Sequence, residues 1–189
     1  MSNHEPVRPG RKRSEESRLA ILTAALELTA ELGYAGLTID GIAARSGTGK
    51  QTIYRWWPSK ADVLLDALAT KADLFVPSPD EGDLAEDLRQ FLAASFDLGN
   101  RKPLADALRA LMAQAQIDTE FRERFWTVFL QRRREALRVL LDRGDLPTSV
   151  ETATDVVFGV IWYRLLTDRP LDERLAEELV TLLSERTPS

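Results

Sequence analysis

The chain has 189 residues, of which 44% are hydrophobic, so it is long enough for one domain or two small ones with a buried core. It contains no cysteine, which excludes a disulfide framework, a thiol nucleophile and a cysteine-ligated zinc site. Its single histidine, His4, lies in a polar stretch before the first predicted helix. We therefore expect a protein that is not an enzyme and that holds neither a cofactor nor a metal ion.

The charge of the chain is unevenly distributed. Residues 1–60 carry nine Lys/Arg and six Asp/Glu, a net charge of +3, whereas the remainder carries −8 of the total of −5. A basic head on an acidic body is typical of a protein of which only one end approaches phosphates. No run of 18 uninterrupted apolar residues is present and residues 1–10 lack the apolar core of a signal peptide, so we expect a cytoplasmic protein without a membrane partner.

The first third of the chain predicts a disordered basic arm over residues 1–13 and then helices. The spacing of apolar residues predicts four helices, over about residues 14–32, 39–44, 49–56 and 60–75. Ser14 and Thr38 are expected to cap the first two of these, which Gly33 and Gly47 end. Ser59, with Asp62 three residues later, has the spacing of a capping box at the start of the fourth.

The rest of the chain predicts five further helices after a loop at residues 76–82 that is rich in proline and glycine. These helices span about residues 84–99, 103–117, 119–141, 149–166 and 172–184. No segment shows the period-two alternation of a strand, and no internal repeat occurs. The predicted fold is all-α, with about nine helices in two domains at residues 14–74 and 75–189.

The segment from residue 37 to 60 has the pattern of a helix-turn-helix, with the motif itself at about 37–56. This motif needs two short helices that cross steeply and a tight turn that contains a glycine. Ile39 and Ile42 provide the inward face of the first helix, Gly47 the turn, and Ile53 and Trp57 the inward face of the second. Such a pattern also occurs by chance as a helical hairpin that only packs.

The outer face of the second helix carries groups that suit DNA. With its apolar residues turned inward, this helix presents Lys50, Gln51, Thr52, Tyr54 and Arg55. The ammonium, amide and guanidinium groups of this set suit the base edges of a major groove, and its hydroxyl groups suit phosphates. The pattern therefore predicts a recognition helix.

These residues resemble the DNA-binding domain of the TetR family of repressors over about sixty residues. The resemblance is carried by Leu32-Gly33-Tyr34, Thr38, Ile42-Ala43, Lys50-Gln51-Thr52-Ile53-Tyr54 and Pro58-Ser59-Lys60. It implies that Tyr54 and Lys60 contact the phosphate backbone and that Lys50, Gln51 and Arg55 lie near bases. The candidate DNA-binding residues are Thr38, Lys50, Gln51, Thr52, Tyr54, Arg55 and Lys60.

The resemblance also implies a transcription regulator that leaves a palindromic operator when it binds a small molecule. The sequence departs from the family pattern at Thr48, where an aliphatic residue is common, and at Gly49, where a serine is frequent. The cap of the recognition helix would therefore use Thr48 or be weaker. The sequence contains no close pair of acidic residues in a recognisable catalytic context, which disfavours an enzyme. A module that only binds a ligand would not need the set Lys50, Gln51, Tyr54 and Lys60, which disfavours that alternative.

The last two predicted helices are rich in apolar residues. Residues 156–163 are apolar almost all round, and the last helix has a stripe of Leu171, Leu175, Leu179 and Leu182. One monomeric core would account for this pattern. A palindromic operator, however, calls for two recognition helices about 34–36 Å apart, which one chain cannot supply. The resemblance implies a homodimer through the helices at about 149–166 and 172–184.

The helices between residues 84 and 141 carry large apolar residues at helical spacing, which more often form a plain core than a cavity. The resemblance implies a pocket there for an unidentified small-molecule effector. Its candidate lining residues are Phe96, Leu108, Met112, Phe125, Trp126 and Phe129. The run Arg132-Arg133-Arg134 is expected to be a solvated face.

Overall fold

The computed structural model of the chain describes residues 9–73 and 82–184, and every regular element in these two ranges is helical. The helices are α1 (Pro9–Gly36), α2 (Ile39–Ser46), α3 (Lys50–Trp56), α4 (Lys60–Asp73), α5 (Leu84–Asn100), α6 (Lys102–Ile117), α7, α8 (Val150–Leu166) and α9 (Glu173–Ser184). Helix α7 is continuous but composite: α-helix over Thr119–Phe125, π-helix over Trp126–Leu130 and α-helix over Gln131–Leu141. The prediction of an all-α fold with about nine helices is confirmed.

The caps of α2 and α4 lie where the sequence predicts them. The hydroxyl of Thr38 accepts a hydrogen bond from the backbone N–H of Gly41 at 3.0 Å, which caps α2. Gly47 ends that helix in the left-handed region, with φ of 67°. At the start of α4, Ser59 Oγ accepts from the N–H of Asp62 at 3.3 Å and donates to its carboxylate at 2.6 Å.

The start of α1 differs from the prediction. This helix begins at Pro9, so Ser14 lies inside it and is not its N-cap, and residues 9–13 are helical rather than part of a disordered arm. The physical reason is that proline suits a first helical turn, where its missing N–H is not needed, and the Arg and Lys residues that follow are good helix formers. Residues 1–8, the rest of the predicted arm, lie outside the described residues.

Helix α1 also carries a break that the sequence predicts. Gly33 has φ of 68° and ψ of 170°, so the helix is interrupted there before a last turn to Gly36. Among the described residues, one stretch, Ser14–Gly36, is long and apolar enough by length and composition to cross a membrane. In this fold its residues Ile21 and Ala25 are fully buried against neighbouring helices, as in the core helix of a globular protein.

A single hydrophobic core runs through both halves of the chain. Helices α1 and α4 both pack on α6, which also contacts α5, α7 and α8. The buried cluster joins Ile42 and Ile53 of the helix-turn-helix to Phe91 of α5 and Leu111 of α6. Movements of α6 or α7 therefore bear directly on α4. The predicted domain boundary at residues 74–75 and nearly all of the predicted loop lie outside the described residues.

Candidate nucleic-acid interface and regulatory core

Two buried residues fix the orientation of α3. Ile53 is fully buried and Trp57 is 6% exposed, and the indole N–H of Trp57 donates to Asp66 of α4 at 3.1 Å. This packing turns the opposite face of α3 to solvent. Lys50, Gln51, Tyr54 and Arg55 are exposed and Thr52 is half-buried. The structure therefore brings five of the seven candidate DNA-binding residues together on one outward face.

Among the five residues of this face, Lys50 is paired with an acidic side chain. It forms an ion pair with Asp40 of α2, and both side chains are exposed. The hydrogen bond to Asp40, with the negative charge of that carboxylate, raises the pKa of Lys50. An exposed pair of this kind is weak, so a phosphate or a base edge can replace Asp40 as the partner of Lys50.

Lys60 holds a different position from the other candidates. Its ammonium group donates to the backbone oxygens of Tyr34 and Leu37, each at 2.9 Å, and lies 4.4 Å from the centre of the Tyr34 ring. Tyr34 lies in the last turn of α1, where its carbonyl also accepts from the N–H of Leu37 at 3.3 Å, and Leu37 directly follows the helix. Because an ammonium group has three donors, one donor of Lys60 remains for a phosphate. The half-buried Lys60 thus fixes the start of α4 against the end of α1.

The cap of the recognition helix is weak, as the departures at residues 48 and 49 predict. Gly49 occupies the N-cap position of α3 and provides no side-chain hydrogen bond. The hydroxyl of Thr48 lies 2.7 Å from that of Ser46 instead of capping α3.

Arg45 of α2 is a positioning residue that sequence reasoning missed. Its guanidinium donates to both carboxylate oxygens of Glu31, at 2.9 and 2.8 Å, and to Glu27 at 3.4 Å. The hydrogen bond to Glu31 is the largest cause of the raised pKa of Arg45. The pair therefore fastens α2 to α1. Glu27 and Glu31 are four residues apart and so lie on one face of α1, and this spacing could have predicted a basic partner for them.

A partly buried ion pair connects α4 to α7. Asp62, in the first turn of α4, is 6% exposed, and it accepts a hydrogen bond from Arg124 Nε of α7 at 2.7 Å. Arg124 directly precedes Phe125, after which α7 becomes π-helical. The sequence does not reveal this pair, because its two residues are 62 positions apart and no local helical pattern connects them.

The six predicted pocket residues differ in how far they are buried. Phe96, Leu108, Met112, Phe125 and Phe129 are buried, whereas Trp126 is 45% exposed. The ring of Phe125 stacks on those of its helical neighbours, at 6.2 Å from Phe121 and 5.7 Å from Phe129. Most of these rings pack in the hydrophobic core, and a pocket that they share stays a prediction.

Some of these residues nevertheless border empty space. Leu108 and Phe129 border an internal cavity of about 20 Å³, which is roughly the size of one water molecule. Phe96 borders a surface groove beside α9. Trp126 lines an open groove of about 330 Å³ between α7 and α8, together with Leu130, Phe158 and Trp162.

In the arginine run on α7, Arg132 is exposed as the sequence predicts, but Arg133 and Arg134 do not form a solvated face. Arg133 is 5% exposed and its Nη2 donates to Ser95 of α5 at 2.8 Å. The side chain of Arg134 is only 15% exposed and binds Glu151 and Asp155 of α8 at 2.6 and 2.7 Å. The physical reason is the π-helical turn, which adds one residue and so rotates every later position of α7 by about 100°.

Helix α8 is apolar on two sides, as predicted. One side packs into the core through Val157, Phe158, Ile161 and Leu165. The other side carries an uncovered stripe at helical spacing, formed by the half-buried Val156 and Val160 and the exposed Gly159, Tyr163 and Leu166. Apolar residues of this size on a continuous helical face are typical of an interaction surface.

The leucine stripe on α9 is shifted in its last turn. Leu171, Leu175 and Leu179 are buried, but Leu182 is 57% exposed and Leu183 takes its place in the core at 2%. The reason is that Ala176 and Val180 are buried beside the leucines, so the buried face of α9 is centred on the side where Leu183 lies. Leu179, which is 3% exposed, belongs to the core of the single chain.

Comparison with known proteins gives a consistent result over both halves. The family described as "Bacterial regulatory proteins, tetR family" matches residues 21–67, and "Tetracyclin repressor-like, C-terminal domain" matches residues 78–183. The helix-turn-helix-type transcriptional regulator YdeS of Bacillus subtilis (strain 168), itself uncharacterized, is 35% identical over 165 residues, which are 83% of this chain and 82% of that protein.

Two further relatives agree. The DNA-binding transcriptional repressor TetR of Mycobacteroides abscessus is 28% identical over 177 residues, covering 89% of this chain and 92% of that protein. The crystal structure of the TetR family transcription regulator SCO0332 matches with a TM-score of 0.73 at 31% identity, covering 88% of this chain and 95% of the other.

Proposed function

Because this chain belongs to the TetR family of DNA-binding transcription regulators, we propose that it is a repressor that binds a palindromic operator as a homodimer and leaves it when a small molecule binds. The observation that carries the DNA-binding part is the outward face of α3, where Lys50, Gln51, Tyr54 and Arg55 are exposed together. We place the protein in the cytoplasm, where its operator is accessible.

The side chains on and beside α3 divide into two roles. Gln51 and Arg55 read base edges, since an amide and a guanidinium offer the paired donors and acceptors that distinguish bases in a major groove. Lys50 releases Asp40 when the protein binds DNA and contacts base edges together with Gln51 and Arg55. The phosphate contacts come from Thr38, Thr52, Tyr54 and Lys60.

The uncovered stripe of α8 supports a dimer. A Cβ built on Gly159 would meet no atom within 4 Å, so a helix of a second chain has room to approach closely there. Tyr163 and Leu166 are 55% and 64% exposed in the single chain, and covering them removes apolar surface from water. Helix α9 contributes the exposed Leu182 to the same proposed dimer interface.

The pair of Asp62 and Arg124 supports a route from effector to DNA. A ligand that changes the path of α7 near its π-helical turn moves Arg124, and Arg124 holds the first turn of α4. Helix α4 also carries Lys60 and the aspartate that binds Trp57, so α3 moves with it. The ligand releases DNA to the extent that it prefers the moved state.

The test of this function is selection of genomic fragments by the purified protein, followed by footprinting of the enriched sites. The proposal predicts one protected inverted repeat per site, with half-sites about one helical turn apart and two chains bound. Enrichment of fragments without a shared sequence, or protection of a single half-site by one chain, would contradict it.

A further inference from the structure

The side chain of Arg55, near the end of α3, lies over an aromatic ring. Its Cζ is 5.4 Å from the centre of the Trp56 ring, which is within the range of a cation–π contact. Neighbouring side chains on a helix point about 100° apart, so helical spacing alone does not bring these two together. The contact forms because the long Arg55 side chain bends towards the ring. It therefore selects a few conformers of Arg55 from the many that an exposed arginine adopts.

Trp56 is itself held by its neighbours. It is half-buried and packs against the hydrophobic core, and the ring of Trp57 meets it edge to face, with centres 5.4 Å apart and planes at 86°. Trp57 donates its indole N–H to Asp66 Oδ2 at 3.1 Å, and Arg18 of α1 donates to Oδ1 of the same carboxylate at 2.6 Å. The ring that contacts Arg55 thus belongs to a connected set of contacts that reaches α1 and α4.

The contact with Trp56 leaves the charge and the donors of Arg55 available. Lys50, on the same outward face, is paired with the carboxylate of Asp40, which DNA has to displace. In the part of the chain that the structure describes, no acidic side chain pairs with Arg55. A guanidinium over an aromatic face keeps its in-plane N–H groups for other partners. Arg55 is therefore ordered by a partner that does not compete with a base.

From this arrangement we propose that Trp56 is a positioning residue for base recognition. It holds the guanidinium of Arg55 ready to donate to O6 and N7 of one guanine in each half-site of the operator. Guanine is the base that offers a guanidinium two acceptors in the major groove, whereas adenine offers one acceptor and a donor. The inference rests on the proposed function, and it adds the base that Arg55 reads and a residue, outside the candidate set, that controls this reading.

The order that Trp56 gives to Arg55 changes how much the guanine contact contributes. Fixing a flexible side chain at an interface weakens binding by a factor of about two to twelve. With the ring present, most of this cost is met before the protein reaches DNA. Without the ring, Arg55 becomes ordered only on a duplex that offers guanine, so the preference for guanine falls. A loss of helix stability would instead weaken binding to every sequence alike.

The test therefore measures base preference as well as affinity. The operator that the wild-type protein selects is compared with two altered duplexes, in which both half-sites carry either A·T in place of G·C or 7-deazaguanine, which lacks N7. The position is the guanine whose replacement weakens the wild-type protein but not Arg55→Ala. We expect the wild-type protein to bind the A·T duplex about tenfold or more weakly than the operator, with a smaller loss on the 7-deazaguanine duplex.

Replacement of the ring should reduce this preference. Trp56→Leu should lower it about fourfold or more, since a cation–π contact contributes about twofold or more at an exposed site and the operator has two half-sites. Trp56→Phe keeps an aromatic face and should retain most of the preference. Tyr54→Phe, which removes a proposed phosphate contact from the same helix, is the matched control. It should weaken binding to all three duplexes equally and leave the preference unchanged.

Two features protect the test from misfolding. The preference compares duplexes with one protein preparation, so it does not depend on the fraction of active protein. Trp56→Gln, a polar substitution that a half-buried helical position accommodates, decides the question if Trp56→Leu does not fold. In the free protein, the ring current of Trp56 should shift the NMR signals of the Arg55 side-chain protons, and this shift should disappear in the variant without the ring.

A guanine preference that is unchanged in both Trp56→Leu and Trp56→Gln would overturn the inference. So would an operator in which Arg55 reads no guanine, or equal Arg55 proton shifts with and without the ring. In each of these cases the protein still selects an inverted repeat, and the proposed function stands. A wild-type protein that selects no shared sequence would refute the proposed function, and this inference with it.

Discussion

Arg124 Nε donates to Asp62 Oδ1 at 2.7 Å, and this contact ties the regulatory helix α7 to the first turn of α4. The same carboxylate group accepts from the hydroxyl of Ser59 at 2.6 Å. One buried aspartate therefore serves both as part of the cap of α4 and as the attachment point of α7. The first turn of α4, which also carries Lys60, is therefore attached to α7.

The first prediction concerns this pair. In a double-mutant cycle, Asp62→Asn and Arg124→Gln should show a coupling of about 1–3 kcal/mol in the free energy of unfolding, because Asp62 is buried while Arg124 is 38% exposed. Urea unfolding measures it. Glu120, which lies 4.0 Å from Arg124 and is 91% exposed, provides the control, since Glu120→Gln should change stability little. Additive effects at Asp62 and Arg124 would show that the pair carries no coupling.

A second prediction follows from the two roles of Lys60. Lys60→Met should weaken DNA binding about equally on all sequences and reduce the salt slope by about 1, as for one lost phosphate contact. It should also lower the free energy of unfolding by about 1 kcal/mol, since the carbonyls of Tyr34 and Leu37 lose a donor. Titrations at several salt concentrations check the first effect, and Lys71→Met, on an exposed position of α4, is the control. An unchanged salt slope would leave Lys60 a structural residue only.

The third prediction concerns Asp40 and Lys50. Asp40 raises the pKa of Lys50, so the lysine is charged throughout the neutral range, and the contribution of the pair is lost only as the pH rises through that raised value in strongly alkaline solution. Asp40→Asn should return the pKa of Lys50 towards its ordinary value and tighten operator binding by about two- to fivefold at neutral pH, because it frees Lys50 and removes a negative charge near DNA. Glu135→Gln, at an exposed position of α7, should not change the affinity. Weaker binding by Asp40→Asn would mean that Asp40 aligns Lys50 for the DNA.

The fourth prediction separates the dimer face from the core. Tyr163→Asp should give a folded monomer, because Tyr163 is 55% exposed in the single chain and lies in the uncovered stripe of α8. Leu179→Asp should unfold the protein instead, because Leu179 is 3% exposed and a charge buried there has no partner. Light scattering gives the mass and circular dichroism gives the helical content. A wild-type protein that is monomeric at micromolar concentration, or a dimeric Tyr163→Asp, would contradict the proposed interface.

Local features of this fold could be predicted from the sequence, and features that depend on distant contacts could not. The caps at Thr38 and Ser59 follow from side chains that bind the backbone three residues later, and the turn at Gly47 follows from the positive φ that glycine allows. The outward face of α3 follows from the spacing of Ile53 and Trp57. These are short-range effects of hydrogen bonding and helical period, which sequence patterns record directly.

The regulatory half was harder to predict because one extra residue changes a whole helix face. The π-helical turn has no sequence signal, and it moves Arg133 from the predicted solvated face into the core. The pair of Asp62 and Arg124 depends on how α4 and α7 pack, which the helical pattern of neither element specifies. The six predicted pocket residues were chosen for their size and period, properties that core residues and cavity linings share.

The most direct measurement of the central claim is a titration of the selected operator with wild-type protein and with Gln51→Ala and Arg55→Ala, each repeated on a scrambled duplex at one salt concentration. The account predicts two chains per inverted repeat and wild-type binding about a thousandfold or more tighter than to the scrambled duplex. Each variant should lose about 1–3 kcal/mol on the operator and change preference at one base pair of each half-site, whereas Arg174→Ala, on the exposed side of α9, should bind as wild type. Equal wild-type affinities for the two duplexes, or unchanged base preference in both variants, would contradict the claim that α3 reads the operator.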